Sequence, residues 1–248
     1  MLNTLVRESK DKGLNMNIDK TEVMVISKHN YEDSPRINIR SEDRTVKQVQ
    51  RTKYLGSIIS CDGKCEEEIR KRIAMAKQTF GNMKTLLCNR KLSIKSRKAA
   101  IKTYIWSILL YGAESWTVNK RMEEKLRAME MWMWRRMLKI SWTERKTNEE
   151  VLTMIGEKRE LLKTIRRRQM KFVGHIMRRG GIENTVLTGM IEGKRGRGRP
   201  REKYMDGLVR AVGTNGRTTT PAQLLHVTND RERWRFMAAN VLEDTAQR

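Results

Sequence analysis

The stretch Tyr54-Leu55-Gly56-Ser57-Ile58-Ile59-Ser60 separates a region of short strand-forming runs from a region of long helical patterns. Aromatic and β-branched residues such as Tyr54, Ile58 and Ile59 favour strands, because their side chains pack well on a pleated surface. Gly56 inside the run allows a bend or the close approach of another backbone. The stretch is therefore predicted to be the last strand of a small β region that precedes a long helical region.

Short strand-forming runs precede this stretch. A helix is predicted over residues 2–12, ending at Gly13. The run from Glu22 to Ile26 is apolar enough for a strand that is buried on both faces. Residues 37–39 and 46–49 are predicted as two further strands, separated by a charged turn. Together with the strand at Tyr54 they predict a small antiparallel β cap.

Amphipathic helical patterns follow the β region. The predicted helices run over 66–87, 93–111, from 117 to about 140, 147–155, 158–178, and onward from residue 230. Ser93, Thr117 and Thr147 are the predicted N-caps. A methionine and tryptophan stripe on the third helix is interpreted as core, and so is one face of the helix at 158–178. The core residues expected are Met122, Met129, Met133, Met137, Trp132, Trp134, Trp142, Leu161, Ile165, Gln169, Phe172 and Ile176. The fold class predicted is mainly α with a small N-terminal antiparallel β cap.

The chain carries a large excess of positive charge. Its 248 residues include 53 Lys+Arg and 29 Asp+Glu, a formal net charge of +24. Such an excess indicates a polyanionic partner. No apolar run approaches the ~20 residues that a spanning helix needs, so nucleic acid is favoured over a membrane. We expect an intracellular, nuclear protein. Three cysteines without a second Cys/His pair at zinc-finger spacing predict free thiols and no metal site.

Two basic segments are the candidate phosphate-binding sites. The first lies on the helix at 158–178 and just after it, and consists of Arg166, Arg167, Arg168, Lys171, Arg178 and Arg179. The second is the glycine-rich stretch 193–201, with Lys194, Arg195, Arg197, Arg199 and Arg201. Glycine and proline hold this stretch extended, so its arginines can follow phosphates or enter an A·T minor groove in the manner of an AT-hook. A solvated basic loop or a nuclear-import signal is the alternative.

No catalytic constellation is evident. The sequence has no paired carboxylates for two-metal phosphoryl transfer, no nucleophile elbow and no Walker loop. Tyr204-Met205-Asp206 is followed by Gly207, not by a second aspartate. His175 is expected to be half-buried and not catalytic. The short and long helices around Gly156 match a helix-turn-helix, but an antiparallel helix pair is the commoner arrangement.

Six segments occur along the chain in one order: residues 13–24, 54–59, 110–116, 135–142, 172–178 and 196–200. In this order they resemble motifs of the C-terminal part of a non-LTR (LINE-type) retrotransposon reverse transcriptase. The first resembles the palm motif that follows the catalytic hairpin, and the second resembles the primer grip. The other four resemble signatures of the thumb and beyond. Each motif is weak by itself, and their shared order makes the resemblance specific.

This resemblance implies a division and a set of roles. Residues 1–62 would be a palm remnant, 63–145 a helical thumb, and 146–248 a basic helical extension. Lys20 would lie near the departing pyrophosphate. Tyr54, Leu55, Gly56 and Ser57 would steady the primer end, and the helices would clamp a template–primer duplex. The family's aromatic-Ala-Asp-Asp hairpin would precede Gly13, where this sequence has 12 residues.

The expected function is therefore that of a truncated RNA-directed DNA polymerase that binds nucleic acid and does not polymerise alone. Its expected partners are an RNA template, a DNA primer or target DNA, and the rest of a polymerase. Mg²⁺ is expected only in the complete polymerase. The first alternative is a small chromatin protein that binds DNA through the AT-hook-like loop. The second is a translated genomic remnant.

Overall fold

A computed structural model describes residues 2–26, 36–41, 44–189, 202–212 and 220–241. The chain forms two compact units, Met1–Glu68 and Ile69–Arg248. The prediction of a mainly helical protein with a few small strands near the N-terminus is confirmed. The domain boundaries predicted at residues 62 and 145 stay predictions.

The first unit holds helix α1 and six short strands. Helix α1 spans Leu2–Asp11, and the strands are β1 (Glu22–Val23), β2 (Arg40–Ser41), β3 (Arg44–Thr45), β4 (Lys47–Gln48), β5 (Arg51–Tyr54) and β6 (Ser57–Ser60). They pair as β1 with β4, β2 with β3 and β5 with β6. The β1–β4 pair is parallel, which corrects the prediction of a purely antiparallel cap. Strand β1 is also shorter than predicted, and Glu22 is exposed, so it is not buried on both faces.

Residues 54–60 form the turn and second strand of a hairpin and not a single strand. Tyr54 ends β5 and pairs with Ser57, the first residue of β6. Leu55 and Gly56 form the turn, with φ of 46° and 85°. Positive φ at both central residues is the pattern of the two-residue hairpin turn whose twist matches that of the strands. Gly56 therefore reverses the chain and does not merely bend a strand.

The second unit begins within helix α2, whose first three residues belong to the first unit. Its first helices are α2 (Glu66–Asn82), α3 (Lys84–Leu87), α4 (Ile94–Ala100), a π-helical segment (Ile101–Ile105), α5 (Trp106–Leu109) and α6 (Lys120–Leu138). The predicted helix 66–87 is interrupted at Met83, which caps α3. Ser93 Oγ accepts a hydrogen bond from Ser96 N at 3.0 Å, which confirms the predicted cap. The third cap is Asn119 and not Thr117, because Asn119 Oδ1 accepts from Met122 N at 3.0 Å.

Helices α7–α12 complete this unit. They are α7 (Asn148–Ile155), α8 (Leu161–Arg179), α9 (Ile182–Thr188), α10 (Tyr204–Val212), α11 (Pro221–His226) and α12 (Arg231–Ala239). The capping box at Thr147 and the left-handed Gly156 confirm the predicted bounds of α7. A buried cluster joins α8, α10, α11 and α12 around Met170, Leu208, Leu224 and Trp234.

The methionine stripe is core, as predicted, but two aromatic predictions are wrong. Met122, Met129, Met133 and Met137 are buried, and so is Trp134. Trp142 lies past the end of α6 and is 88% exposed. Phe172 is 40% exposed, and its place in the core is taken by Val173.

Backbone carbonyls of the segment 110–116 accept hydrogen bonds from side chains of two later helices. Gln169 Nε2 on α8 donates to the carbonyl oxygens of Trp116 at 2.7 Å and of Ala113 at 3.3 Å. Tyr204 on α10 donates its hydroxyl to the carbonyl of Glu114 at 2.7 Å. Burial raises the pKa of Tyr204, so the hydroxyl keeps its proton as a donor. These bonds satisfy buried backbone acceptors and tie the turn to two later helices.

Candidate nucleic-acid interface

The β5–β6 hairpin presents an apolar tip to solvent. Tyr54 is 62% exposed and Leu55 is 74% exposed. The structure brings the four predicted primer-end residues together, since Leu55 and Gly56 form the turn between Tyr54 and Ser57. An aromatic ring and an aliphatic side chain at one exposed tip can pack against a base or a sugar, and stacking of this kind tolerates any sequence.

Acidic side chains of the same unit anchor the base of the hairpin. Glu68 is 3% exposed, and its Oε2 accepts a hydrogen bond from Ile58 N at 2.7 Å. Glu67 pairs with Arg51 at 2.7 Å, and Glu22 accepts from Thr52 Oγ1 at 2.7 Å. The positive end of the helix dipole accounts for the glutamates in the first turn of α2. The sequence pattern does not predict their contacts with the hairpin. They fix the strands and leave the tip projecting.

The far end of β6 is closed by an aspartate turn. Asp62 Oδ1 accepts hydrogen bonds from Ser60 Oγ at 2.6 Å and from Lys64 N at 2.9 Å. Partial burial raises the pKa of Asp62, but these bonds and the charge of Lys64 outweigh it, so the pKa lies below its usual value. The carboxylate therefore stays ionised and holds the turn at neutral pH.

The backbone of Leu55 is strained, because its φ is positive. A bulky residue at φ of 46° is an outlier, and such strain costs about 1–3 kcal/mol and clusters at functional sites. Leu55→Asn creates an Asn-Gly pair, the preferred sequence for this turn. We expect it to raise the unfolding free energy of the first unit by about 1 kcal/mol, because asparagine adopts a positive φ at a lower cost. Urea unfolding measures the effect, and an unchanged or lower stability would contradict the strain at Leu55.

Lys20 lies at the end of a short 3-10 helix, Ile18–Lys20, and it is exposed. Asn17 caps that turn, since its Oδ1 accepts a hydrogen bond from Lys20 N at 3.1 Å. The side chain of Lys20 is therefore presented to solvent from a fixed backbone. This geometry is compatible with binding an anionic group, and the predicted contact with pyrophosphate stays a prediction.

The structure corrects the prediction for Arg166. This side chain is 5% exposed and forms an ion pair with the buried Glu123. Its Nη1 also donates to Gln169 Oε1 at 3.1 Å, and a Cβ on Gly207 would lie 2.5 Å from it. Three consecutive helical residues point in directions about 100° apart, so they cannot all face a nucleic acid. Arg166 belongs to the interior.

The other basic residues of α8 are divided between structure and solvent. Arg168 donates to the carbonyl of Leu110 at 3.0 Å, and Arg178 donates to that of Thr228 at 3.1 Å. Arg167 is half-buried, whereas Lys171 and Arg179 are exposed. The exposed part of this helix therefore offers fewer cations than the sequence suggests. His175 is exposed and not half-buried.

The second basic segment lies outside the described residues. Its candidates are Lys194, Arg195, Arg197, Arg199 and Arg201, and their predicted role stays a prediction. Within the part of the chain that the structure describes, no group of three or more His, Cys, Asp or Glu side chains could hold a metal ion. None of the described helices has both the length and the apolar character that crossing a bilayer requires.

Comparison with known proteins gives one informative relative. A curated Caenorhabditis elegans protein, described as transposon-derived and uncharacterized, is 27% identical to this chain over 248 residues. The match covers 94% of this chain and 86% of that protein. No family model and no solved structure matches the chain. The chain is thus similar, over nearly its whole length, to a protein of transposable-element origin.

Proposed function

We propose that these 248 residues are a retrotransposon-derived portion of an RNA-directed DNA polymerase. The portion binds template–primer nucleic acid in the nucleus and does not polymerise by itself. The observation that carries this proposal is the hairpin, because the stretch that resembles a primer grip forms a strained, exposed apolar tip. The transposon-derived relative supports the ancestry. The net charge of +24 supports the polyanionic partner.

The anchored hairpin supports a gripping role. Its base is tied to Glu22, Glu67 and Glu68, so the tip is preorganised and little conformational entropy is lost when it meets a primer end. Phosphates would be held by exposed cations, and on α8 these are Lys171, Arg178 and Arg179. Mg²⁺ chemistry would belong to the complete polymerase, whose aspartates this sequence does not contain.

Filter binding across a salt series tests this function. The probes are an RNA–DNA hybrid, a mixed-sequence DNA duplex and an A·T-rich duplex of equal length. We expect the hybrid to bind most tightly at every salt concentration, because its geometry is that of a template–primer. Equal affinity for the three, with a steep salt dependence, would reduce the function to charge alone. With Mg²⁺ and nucleotides, primer extension by the purified chain would contradict the claim that it is inactive alone.

The AT-hook alternative predicts a different response to one double substitution. Under our proposal, Arg197→Ala with Arg199→Ala weakens duplex binding partially and equally for all sequences. The salt slope then falls by about 1.8, since each phosphate contact contributes about 0.9. Under the alternative, the same change abolishes both binding and A·T preference. Lys12→Ala with Lys95→Ala removes the same charge from exposed positions elsewhere and is the control.

A further inference from the structure

A basic depression lies on the second unit, beside the C-terminal end of α6. It has a volume of about 740 Å³ and is lined by α3, by the loop that follows it and by the residue that caps α6. Four of its lining residues are cations: Lys84, Arg90, Lys91 and Lys139. The lining contains no acidic residue. All four cations are exposed, so their charges face the space and the solvent around it.

Within the described residues, none of these four cations forms an ion pair with a carboxylate, because no carboxylate oxygen there lies within 4.0 Å of their side-chain nitrogens. The charge of Arg90 contributes to the lowered pKa of Glu144. The direct partners of the Glu144 carboxylate are instead Ser141 N, at 2.8 Å, and Lys146, at 3.1 Å. The hydrogen bond from Ser141 is the main cause of its lowered pKa. A cluster of like charges in a concave surface attracts an anion.

An exposed tryptophan follows the lining residue Lys139 closely in the chain. Trp142 is 88% exposed and opens the 3-10 turn Trp142–Glu144, which a capping box between Ser141 and Glu144 holds rigid. Trp142 is the third residue after Lys139, so the two Cα atoms lie at most about 11 Å apart. At 88% exposure the indole of Trp142 packs little against the rest of the unit, so it is accessible to a ligand.

We propose that the basic depression and Trp142 form a binding site for unpaired nucleotides, in which the cations hold backbone phosphate and the indole stacks on a base. The inference rests on the proposed nucleic-acid binding and goes beyond it, because it assigns a strand state and a location. Stacking requires the open face of a base, which a paired base inside a duplex does not offer. The site therefore selects single strands, such as template that is not yet paired.

The test is fluorescence anisotropy of the full chain with a labelled single-stranded oligo(dT) and with a blunt DNA duplex. We expect Trp142→Ala to weaken single-strand binding about tenfold and to leave duplex binding unchanged, since one stacked base contributes about 1–3 kcal/mol. Phe236→Ala removes another exposed aromatic residue of the same unit, at 70% exposure. This control should change neither affinity.

The cations are tested separately by their effect on the salt dependence. Lys84→Ala with Lys139→Asn should lower the single-strand salt slope by about 1.4, because each phosphate contact contributes about 0.7. Asparagine suits the left-handed backbone of Lys139, whose φ is 60°. Lys95→Ala with Lys120→Ala changes the same charge on exposed helix positions and should leave that slope nearly unchanged.

Three outcomes would overturn this proposal. A Trp142→Ala variant that binds oligo(dT) as the wild type does would overturn the site while hybrid binding, and with it the proposed function, still stands. An equal decrease of the single-strand salt slope in the two double variants, one inside and one outside the depression, would show that binding depends only on total charge. A wild-type chain that binds no nucleic acid would overturn both proposals. Urea unfolding of each variant separates lost binding from lost folding.

Discussion

Glu123→Gln is expected to lower the unfolding free energy of the second unit by about 3–5 kcal/mol, because it leaves the guanidinium of Arg166 buried without its charge partner. Both side chains of this pair are only 6% exposed. Arg210 also loses its contact with Glu123, which measures 3.7 Å. Urea unfolding, followed by tryptophan fluorescence, measures the change.

Glu124→Gln is the matched control for this substitution. Glu124 is the next residue on α6 and is exposed, so the same change there should alter stability by less than about 0.5 kcal/mol. In the double variant with Arg166→Met, the loss should be smaller than the sum of the two single losses, since the two partners are in contact. Equal stabilities of the two glutamine variants would show that the pair is not buried as described.

Gly174→Ala has the second largest expected effect. A Cβ at this position would lie 2.2 Å from Trp234 Nε1 and 2.6 Å from its Cδ1. Trp234 is 2% exposed, and its Nε1 donates to Met170 O at 2.8 Å, so the indole cannot move without losing that bond. Overpacking of this kind costs about 1–3 kcal/mol, and the loss of the hydrogen bond adds to it. We expect a fall of about 3 kcal/mol in urea unfolding.

Gly81→Ala is the control that separates the effect of alanine on the helix backbone from the clash at residue 174. Gly81 lies in helix α2 with nothing within 4 Å of the added Cβ. Alanine there should raise stability by about 0.5–1 kcal/mol, because a glycine inside a helix loses more conformational entropy on folding. The two substitutions are chemically the same and are predicted to act in opposite directions. A Gly174→Ala variant as stable as the wild type would contradict the close packing of α8 against α12.

Local chemistry explains what the sequence predicted well. Ser93 and Thr147 cap their helices through side-chain oxygens that accept neighbouring backbone N–H groups, and such contacts span only three residues. The left-handed Gly156 ends α7 at the predicted place, whereas α5 ends at Leu109, before the predicted stop at Gly112, which instead opens the 3-10 turn Ala113–Ser115. The long-range features were missed. The parallel pairing of β1 with β4 joins residues about 25 positions apart, and no local pattern specifies it.

In the candidate site, too, the sequence predicts local features better than long-range ones. The four hairpin residues are adjacent in sequence, so a single motif covers them. The run of three arginines at 166–168 predicts one basic patch, but residues 162, 166, 169 and 173 repeat at helical spacing and are all buried. That periodicity is the sequence signal for the burial of Arg166. The basic depression combines residues 84–91 with Lys139, and only the fold brings them together.

Under the proposed function, the hairpin tip contacts the primer end. This contact can be mapped by photocrosslinking from a 4-thiothymidine at the 3′ end of a DNA primer that is annealed to an RNA template. Cleavage at the flanking lysines Lys53 and Lys64 places the tip in one tryptic peptide that mass spectrometry identifies. We expect the crosslink to lie in residues 54–64 and to be lost in Tyr54→Ala with Leu55→Asn. Crosslinks confined to residues 166–201, and unchanged in that variant, would show that the tip does not contact the primer end.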